Sequence, residues 1–274
     1  MPATPQQKRA TFRALHQEGC FVLPNPWDVG SARMLQHMGF AALASSSSGY
    51  AWTTGHADYA VTLTDVLEHL TMLCNAVDLP VNADFESGFA PDDQGVYDNV
   101  TRAIQTGIAG VSIEDQIFGG ASGLYDTAAA LQRVQAARRA IDASGEDVML
   151  VARTEILLSD PSKITVAIDK LVAFAQAGAD CLYAPGVRNR DDIAAMVRAV
   201  SPKPVNVLVS SPGLSVSELT DLGVRRISVG GALARVGWGA VMGAAEQIKS
   251  GSFDGLGSAA SGKRLNDMFD TYLD

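Results

Sequence analysis

Val81-Asn82-Ala83-Asp84-Phe85-Glu86-Ser87-Gly88 and Gly110-Val111-Ser112-Ile113-Glu114-Asp115-Gln116 decide how this chain is read. Each opens as a short apolar run and closes in carboxylates. A carboxylate is costly to bury unless a nearby charge or cation compensates it. Acids repeated at the ends of apolar segments therefore mark strand ends that carry chemistry. Oxygen donors clustered without cysteine or histidine suit a hard cation such as Mg²⁺.

Working outward, short apolar or β-branched runs predict strands at 20–23, 41–44, 81–84, 110–114, 148–153, 181–184, 204–209 and 227–230. Helical periodicity predicts helices at 28–38, 64–77, 128–143, 162–177, 190–200, 216–222 and 233–248. Thr64 is the expected N-cap of the second of these, with Glu68 in its first turn. Strand and helix alternating about eight times imply a parallel sheet whose strands are apolar on both faces. With 274 residues and no break in composition, the expected fold is α/β, a single-domain (β/α)₈ TIM barrel spanning 1–274. The Gly/Ser/Ala-rich stretch 250–261 reads as a flexible connection to a last helix at 263–272.

Composition excludes several classes of function. A formal net charge of −9 argues against nucleic acid or an anionic membrane surface as partner. Cys20, Cys74 and Cys181 are too widely spaced for a disulfide framework or a zinc site, and read as buried thiols. The polar start of the chain has no apolar signal region, and no apolar run reaches bilayer-spanning length. The expectation is a soluble cytoplasmic protein.

In a barrel the C-terminal ends of the strands form the active face. Those ends carry Asn25, Trp27 and Asp28, then Ser45-Ser46-Ser47-Ser48-Gly49, then Asp84 and Glu86, then Glu114 and Asp115. Arg153 and Glu155 follow the fifth strand; Tyr183, Asn206, Ser210 and Gly230-Gly231 complete the rim. Asp84, Glu86 and Glu114 are candidate direct or water-mediated Mg²⁺ ligands. Arg153 can clamp a substrate carboxylate or phosphonate, or pair structurally with Glu114 or Glu155, and the two roles can coexist. The serine run is either a plain loop or an anion cradle of amides and hydroxyls. Trp27 and Asn206 are candidate substrate contacts. His16, His37 and His69 fall on helical patterns with surface or half-buried placement, and His56 is expected in solvent.

Together these segments resemble the isocitrate lyase / phosphoenolpyruvate mutase superfamily from about Phe21 to Ser250. The resemblance rests on Asn25-Pro26-Trp27-Asp28-Val29-Gly30-Ser31-Ala32-Arg33, Gly55-His56-Ala57-Asp58, Asp84-Phe85-Glu86-Ser87-Gly88-Phe89, Ser112-Ile113-Glu114-Asp115-Gln116 and Val151-Ala152-Arg153-Thr154-Glu155. It implies a barrel whose last helix is swapped between the subunits of a tetramer or dimer. It also implies Mg²⁺ held through Asp84, with Glu86 and Glu114 acting through water. A 2-oxo acid would be held by Ser46, Ser47 and Ser48, with Arg153 stabilising an enolate and Asp58 beside the transferring group.

Two departures qualify the activity. Glu86 stands where Asp is commoner. The segment Ile117-Phe118-Gly119-Gly120-Ala121-Ser122-Gly123-Leu124-Tyr125 contains no Lys, Arg, Cys or His, although the isocitrate and methylisocitrate lyases carry acid/base residues there. Its glycines Gly119, Gly120 and Gly123 allow a hinged lid. The leading expectation is a Mg²⁺-dependent lyase breaking a C–C bond beside a pyruvate enolate in an oxaloacetate-like 2-oxo acid. Phosphonopyruvate or phosphoenolpyruvate mutase or hydrolase chemistry is the close alternative. A non-catalytic 2-oxo acid binding protein and an unrelated barrel enzyme for phosphorylated sugars using Gly230-Gly231 are the others.

Overall fold

The computed structural model describes residues 2–119 and 122–272. Strands β1 (Phe21–Leu23), β2 (Leu43–Ala44), β3 (Val81–Asp84), β4 (Gly110–Glu114), β5 (Met149–Arg153), β6 (Cys181–Tyr183), β7 (Val205–Leu208) and β8 (Arg226–Ser228) are all parallel. They run in the order β1-β8-β7-β6-β5-β4-β3-β2, the (β/α)₈ barrel expected from the sequence. At the β1–β2 seam the Ala44 N–H donates to the Pro24 carbonyl at 3.1 Å. Asn25 reinforces the seam: its Nδ2 donates to Ser45 O at 2.8 Å, and its Oδ1 accepts from Val229 N at 3.0 Å and Gly230 N at 2.8 Å.

Around the strands lie α1 (Pro5–Leu15), α2 (Val29–His37), α3 (Ser47–Thr53), α4 (Leu63–Ala76), α5 (Asp93–Ile104), α6 (Thr127–Ser144), α7 (Ile156–Ser159), α8 (Ile164–Gln176), α9 (Arg190–Val200), α10 (Val216–Asp221), α11 (Ala232–Lys249) and α12 (Gly262–Asp270). Four of these, α1, α3, α5 and the short α7, the sequence reading lacked. Helix α5 fills the stretch between the two acidic runs, and α3 replaces the expected serine loop. Serine is a poor helix interior but a good N-cap, and the Ser46 hydroxyl accepts from Gly49 N at 3.1 Å to start α3. Helix α1 closes the bottom of the barrel. There Phe12 is buried, Lys8 donates to Cys74 O and Val77 O at the C-terminal end of α4, and Arg9 donates to Ile108 O just before β4. The N-cap of α4 is Thr62, not Thr64, because Thr62 forms a reciprocal capping box with Asp65.

The barrel interior departs from the expectation of strands apolar on both faces. Asn82, Ser112, Asn206, Arg226 and Ser228 are buried among the strands. Arg226 Nε donates to Asn206 Oδ1 at 3.0 Å, and its Nη1 lies 3.3 Å from Asn82 Oδ1. Eight strands leave room only for side chains that interlock. At Gly110 a Cβ would stand 2.6 Å from Asn82 Oδ1 and 2.7 Å from the Phe12 ring, so the close approach of β4 requires glycine. His16 and His69 are buried rather than half-exposed; His69 stacks on Tyr50 at 3.9 Å. His37 and His56 are exposed, Cys74 and Cys181 are buried, and Cys20 is half-buried. None of the described helices is long and apolar enough to cross a membrane.

The segment after α11 is not featureless. It forms a 3₁₀ turn at Asp254–Ser258, and α12 then packs on α2 of the same chain. The Tyr272 hydroxyl donates to Arg33 O at 2.9 Å, and Arg33 lies over its ring. Gly120 and Ala121, at the centre of the expected lid, lie outside the described residues.

Because Asn25 satisfies groups on both neighbouring strands, Asn25→Ala should cost about 2–4 kcal/mol of stability by leaving buried donors and an acceptor unpaired. Chemical denaturation measures this; a loss below ~0.5 kcal/mol would show that the seam does not depend on Asn25.

Candidate active site

The ends of β3, β4 and β5 bring the acidic runs together. The register pairs Asp84 with Ser112 and Glu114 with Arg153, so Asp84, Glu114 and Arg153 share one mouth. Asp84 Oδ2 accepts from the Ser47 N–H at 3.0 Å, and Asp84 Oδ1 lies 3.3 Å from Arg153 Nη1. The same Nη1 is 3.4 Å from Glu114 Oε2. On its other edge the guanidinium grips Glu155: Nε donates to Oε1, and Nη2 donates to Oε2 at 2.9 Å. Beneath it lies the Tyr183 ring, 5.1 Å from centroid to Cζ. Arg153 is thus largely committed to protein carboxylates, and the ion-pair role foreseen for it is the one observed.

Glu86 stands apart from this pairing. It is 7% exposed, its φ is +46°, and its Oε1 is buried without a hydrogen-bond partner. A left-handed backbone at a non-glycine residue is strained and persists only when neighbours hold it. Here Arg133 from α6 does so, donating to Ser87 O through Nε at 3.1 Å and to Ala90 O through Nη2 at 2.5 Å. The Glu86 carbonyl accepts from Glu114 N at 2.9 Å. Burial, reinforced by Asp84 and Asp58, pushes the Glu86 carboxyl up to about 8. Burial also raises Glu114 and Glu155, while Glu155 and Glu114 together outweigh burial and keep Arg153 charged.

Sequence reasoning missed Tyr59. Its hydroxyl donates to Glu114 Oε1 at 2.9 Å from a backbone with φ +62°. Only its place next to Asp58 hinted at this, since a strained φ at tyrosine leaves no mark in the sequence. Asp58 lies at the outer edge, its Oδ1 accepting from Tyr59 N at 3.1 Å; desolvation and Asp84 raise its pKa. Asp115 turns away from the mouth. It accepts from Thr154 Oγ1 and Lys170 Nζ, each at 2.7 Å, and from Glu155 N at 2.8 Å, fixing the turn after β5.

The remaining candidates divide. Ser46 and Ser48 sit hydroxyl to hydroxyl at 3.3 Å, whereas Asp84 engages their neighbours, accepting from the Ser47 amide and donating through its own amide to Ser45 Oγ at 2.8 Å. Trp27 is half-buried behind α3, against the position a Gly49 Cβ would take. Asn206 is fully buried, with its amide donating to Ser228 Oγ at 2.9 Å and its carbonyl held by Arg226.

Among the described residues no three His, Cys, Asp or Glu side chains converge closely enough to coordinate an ion directly. The donor set still fits a hard divalent cation. Asp84 is partly open, Glu86 Oε1 is unpartnered, and Glu114 shares Arg153 Nη1 with Asp84.

The family model for phosphoenolpyruvate phosphomutase matches residues 12–249. The chain belongs to this family. Within the wider superfamily of phosphoenolpyruvate mutase and isocitrate lyase it is an enzyme related to lyases and phosphonomutases, and members of that superfamily are generally dependent on a divalent metal. A candidate lyase/mutase of Burkholderia cenocepacia J2315 is 41% identical over 97% of both chains, with a TM-score of 0.93. The Rv1998c protein of Mycobacterium tuberculosis is 31% identical over 88% of this chain and 90% of its own length. The oxaloacetate decarboxylase of Paraburkholderia xenovorans is 29% identical over 81% of this chain and 74% of its own.

The raised Glu86 pKa carries a stability signature. The folded state holds a proton that the unfolded state releases near the ordinary carboxyl value of 4.5. Stability of the metal-free protein should therefore fall as pH rises from about 4.5 toward 8, by roughly 2–4 kcal/mol. Glu86→Gln, which cannot ionise, should flatten the profile in that window; an unchanged slope in urea denaturation would remove Glu86 as its source.

Proposed function

We propose that this protein is a Mg²⁺-dependent lyase that cleaves a C–C bond adjacent to a pyruvate enolate in a small, oxaloacetate-like 2-oxo acid. The observation that carries the reading is the meeting of Asp84, Ser46–Ser48 and the Glu86–Glu114–Arg153 group at one barrel mouth. Asp84 would hold the cation, with Glu86 and Glu114 reaching it through water. When bound, the cation supplies Lewis-acid polarisation of the 2-oxo group, which favours enolate character.

The chain's own residues do the rest. The Ser46 and Ser48 hydroxyls orient the substrate carboxylate and keto oxygen. Arg153 pairs with Asp84 and Glu114 and so holds both carboxylates at the mouth of the site. Asp58, its pKa raised, holds or releases a proton at the outer edge of the site. Related oxaloacetate decarboxylases favour this chemistry over phosphonate transfer. So does the 117–125 segment, which contains no cation to hold a migrating phosphonate.

The test is pyruvate release from oxaloacetate and from phosphonopyruvate in the presence of Mg²⁺. Asp84→Ala should lower the oxaloacetate rate by at least ~10²-fold. Turnover of phosphonopyruvate alone would favour the mutase or hydrolase reading. Tight oxalate binding without turnover of either compound would mark a binding protein.

We further propose that a second copy of the chain covers α11. Of its 18 residues only Ala234 is buried, while Val236, Trp238, Val241 and Met242 are exposed. An apolar face of that size is a feature of subunit interfaces. Light scattering should find a dimer or tetramer, and Val241→Glu combined with Met242→Glu should shift it toward monomer.

A further inference from the structure

Just past Asp84 the backbone is left-handed at Glu86 (φ +46°), Gly88 (φ +88°) and Phe89 (φ +54°). A segment of that shape cannot exchange the hydrogen bonds of a helix or a strand, so its carbonyls need partners elsewhere. Two side chains supply them. Asn99 on α5 donates from Nδ2 to Gly88 O and Phe89 O, each at 3.0 Å. Arg133 on α6 takes the flanking carbonyls, donating to Ser87 O through Nε and Nη2 and to Ala90 O through Nη2, with Pro91 O 3.4 Å from Nη1.

A guanidinium is a costly group for this task. Arg133 is 3% exposed, and among the described residues it makes no ion pair; Asp92 and Asp93 act on it only at longer range. A buried charge held by carbonyls costs more than a neutral donor in the same place. What the charge adds is the Tyr125 ring, whose centroid lies 4.4 Å from its Cζ. Tyr125 is itself pinned. Its N–H donates to Asp115 O at 2.8 Å, its carbonyl accepts from Lys170 Nζ at 3.2 Å, and its hydroxyl accepts from Phe118 N at 3.3 Å. The ring therefore fixes the guanidinium, and the guanidinium fixes the loop on which Glu86 stands.

We propose that Arg133 is a positioning residue for the metal site, holding Glu86 in the left-handed backbone from which it serves the cation, and that Tyr125 sets this grip. Affinity for a divalent cation then depends on two residues that stand behind the acids. The inference rests on the reading that Asp84 and Glu86 serve such a cation, and adds which part of the chain governs how tightly it is held. Groups that orient a ligand in this way carry roughly 10–100-fold of a site's affinity.

Mn²⁺ binding, followed by electron paramagnetic resonance, tests this without any turnover, with circular dichroism checking that each variant is folded. Arg133→Met keeps much of the side chain's length and removes every donor; it should weaken Mn²⁺ about tenfold. Tyr125→Leu leaves the guanidinium without its ring and should weaken Mn²⁺ about threefold. Both losses should vanish in a Glu86→Gln background, because each acts through Glu86. A residue that only stabilises the fold would change Mn²⁺ affinity equally in both backgrounds, or in neither, and either result overturns the proposal. Should Arg133→Met fail to fold, the Tyr125→Leu pair carries the same decision. If the unaltered protein does not bind Mn²⁺, or binds it as tightly after Asp84→Ala, the metal reading itself fails and this inference with it.

Discussion

One guanidinium stands among more carboxylates than it can neutralise. Arg153 meets Glu155, Asp84 and Glu114 at the barrel mouth, with Glu86 close by and unpaired. Two unit charges about 4 Å apart interact with ~4 kcal/mol at an effective dielectric of 20. Such a cluster persists only because something else takes up the excess negative charge. Burial beside Asp84 and Asp58 raises the Glu86 pKa, so a proton there would take up part of that excess in the metal-free protein. A divalent cation would serve the same end and displace it. The surrounding architecture keeps these groups from relaxing apart.

That restraint is distributed. Lys170 and Thr154 anchor Asp115, which fixes the turn carrying Glu155. Arg133 holds the carbonyls after Glu86 and lies 4.4 Å from the Tyr125 ring, tying the metal-side loop to the end of the 117–125 segment. Below the mouth, Arg226, Asn206 and Asn82 form a polar layer in place of a purely apolar core. The strained backbones at Glu86 and Tyr59 are the local expression of the same constraint, and both belong to residues that face the cluster.

Alternation of apolar runs and helical patterns made the barrel legible, because a parallel strand buried on both sides needs an unbroken apolar stretch. Helix α3 was hidden by serine's low propensity, and α1 by a charged face whose partners, the end of α4 and the chain before β4, are far away in sequence. The acids and Arg153 could be read because charge at the end of an apolar strand is expensive. Tyr59 could not: its role depends on a left-handed φ and on reaching Glu114, 55 positions away.

The sequence by itself determined the barrel class, the family, and the identity of the acids that gather at its mouth. These follow from periodicity and motif order, which are local. Tertiary structure alone decided that Arg153 is spent on Glu155, Glu114 and Asp84, and that Asn206 belongs to a buried polar layer. Those outcomes depend on which charges neutralise one another, and that pairing is set by three-dimensional distance, which spacing along the chain does not encode.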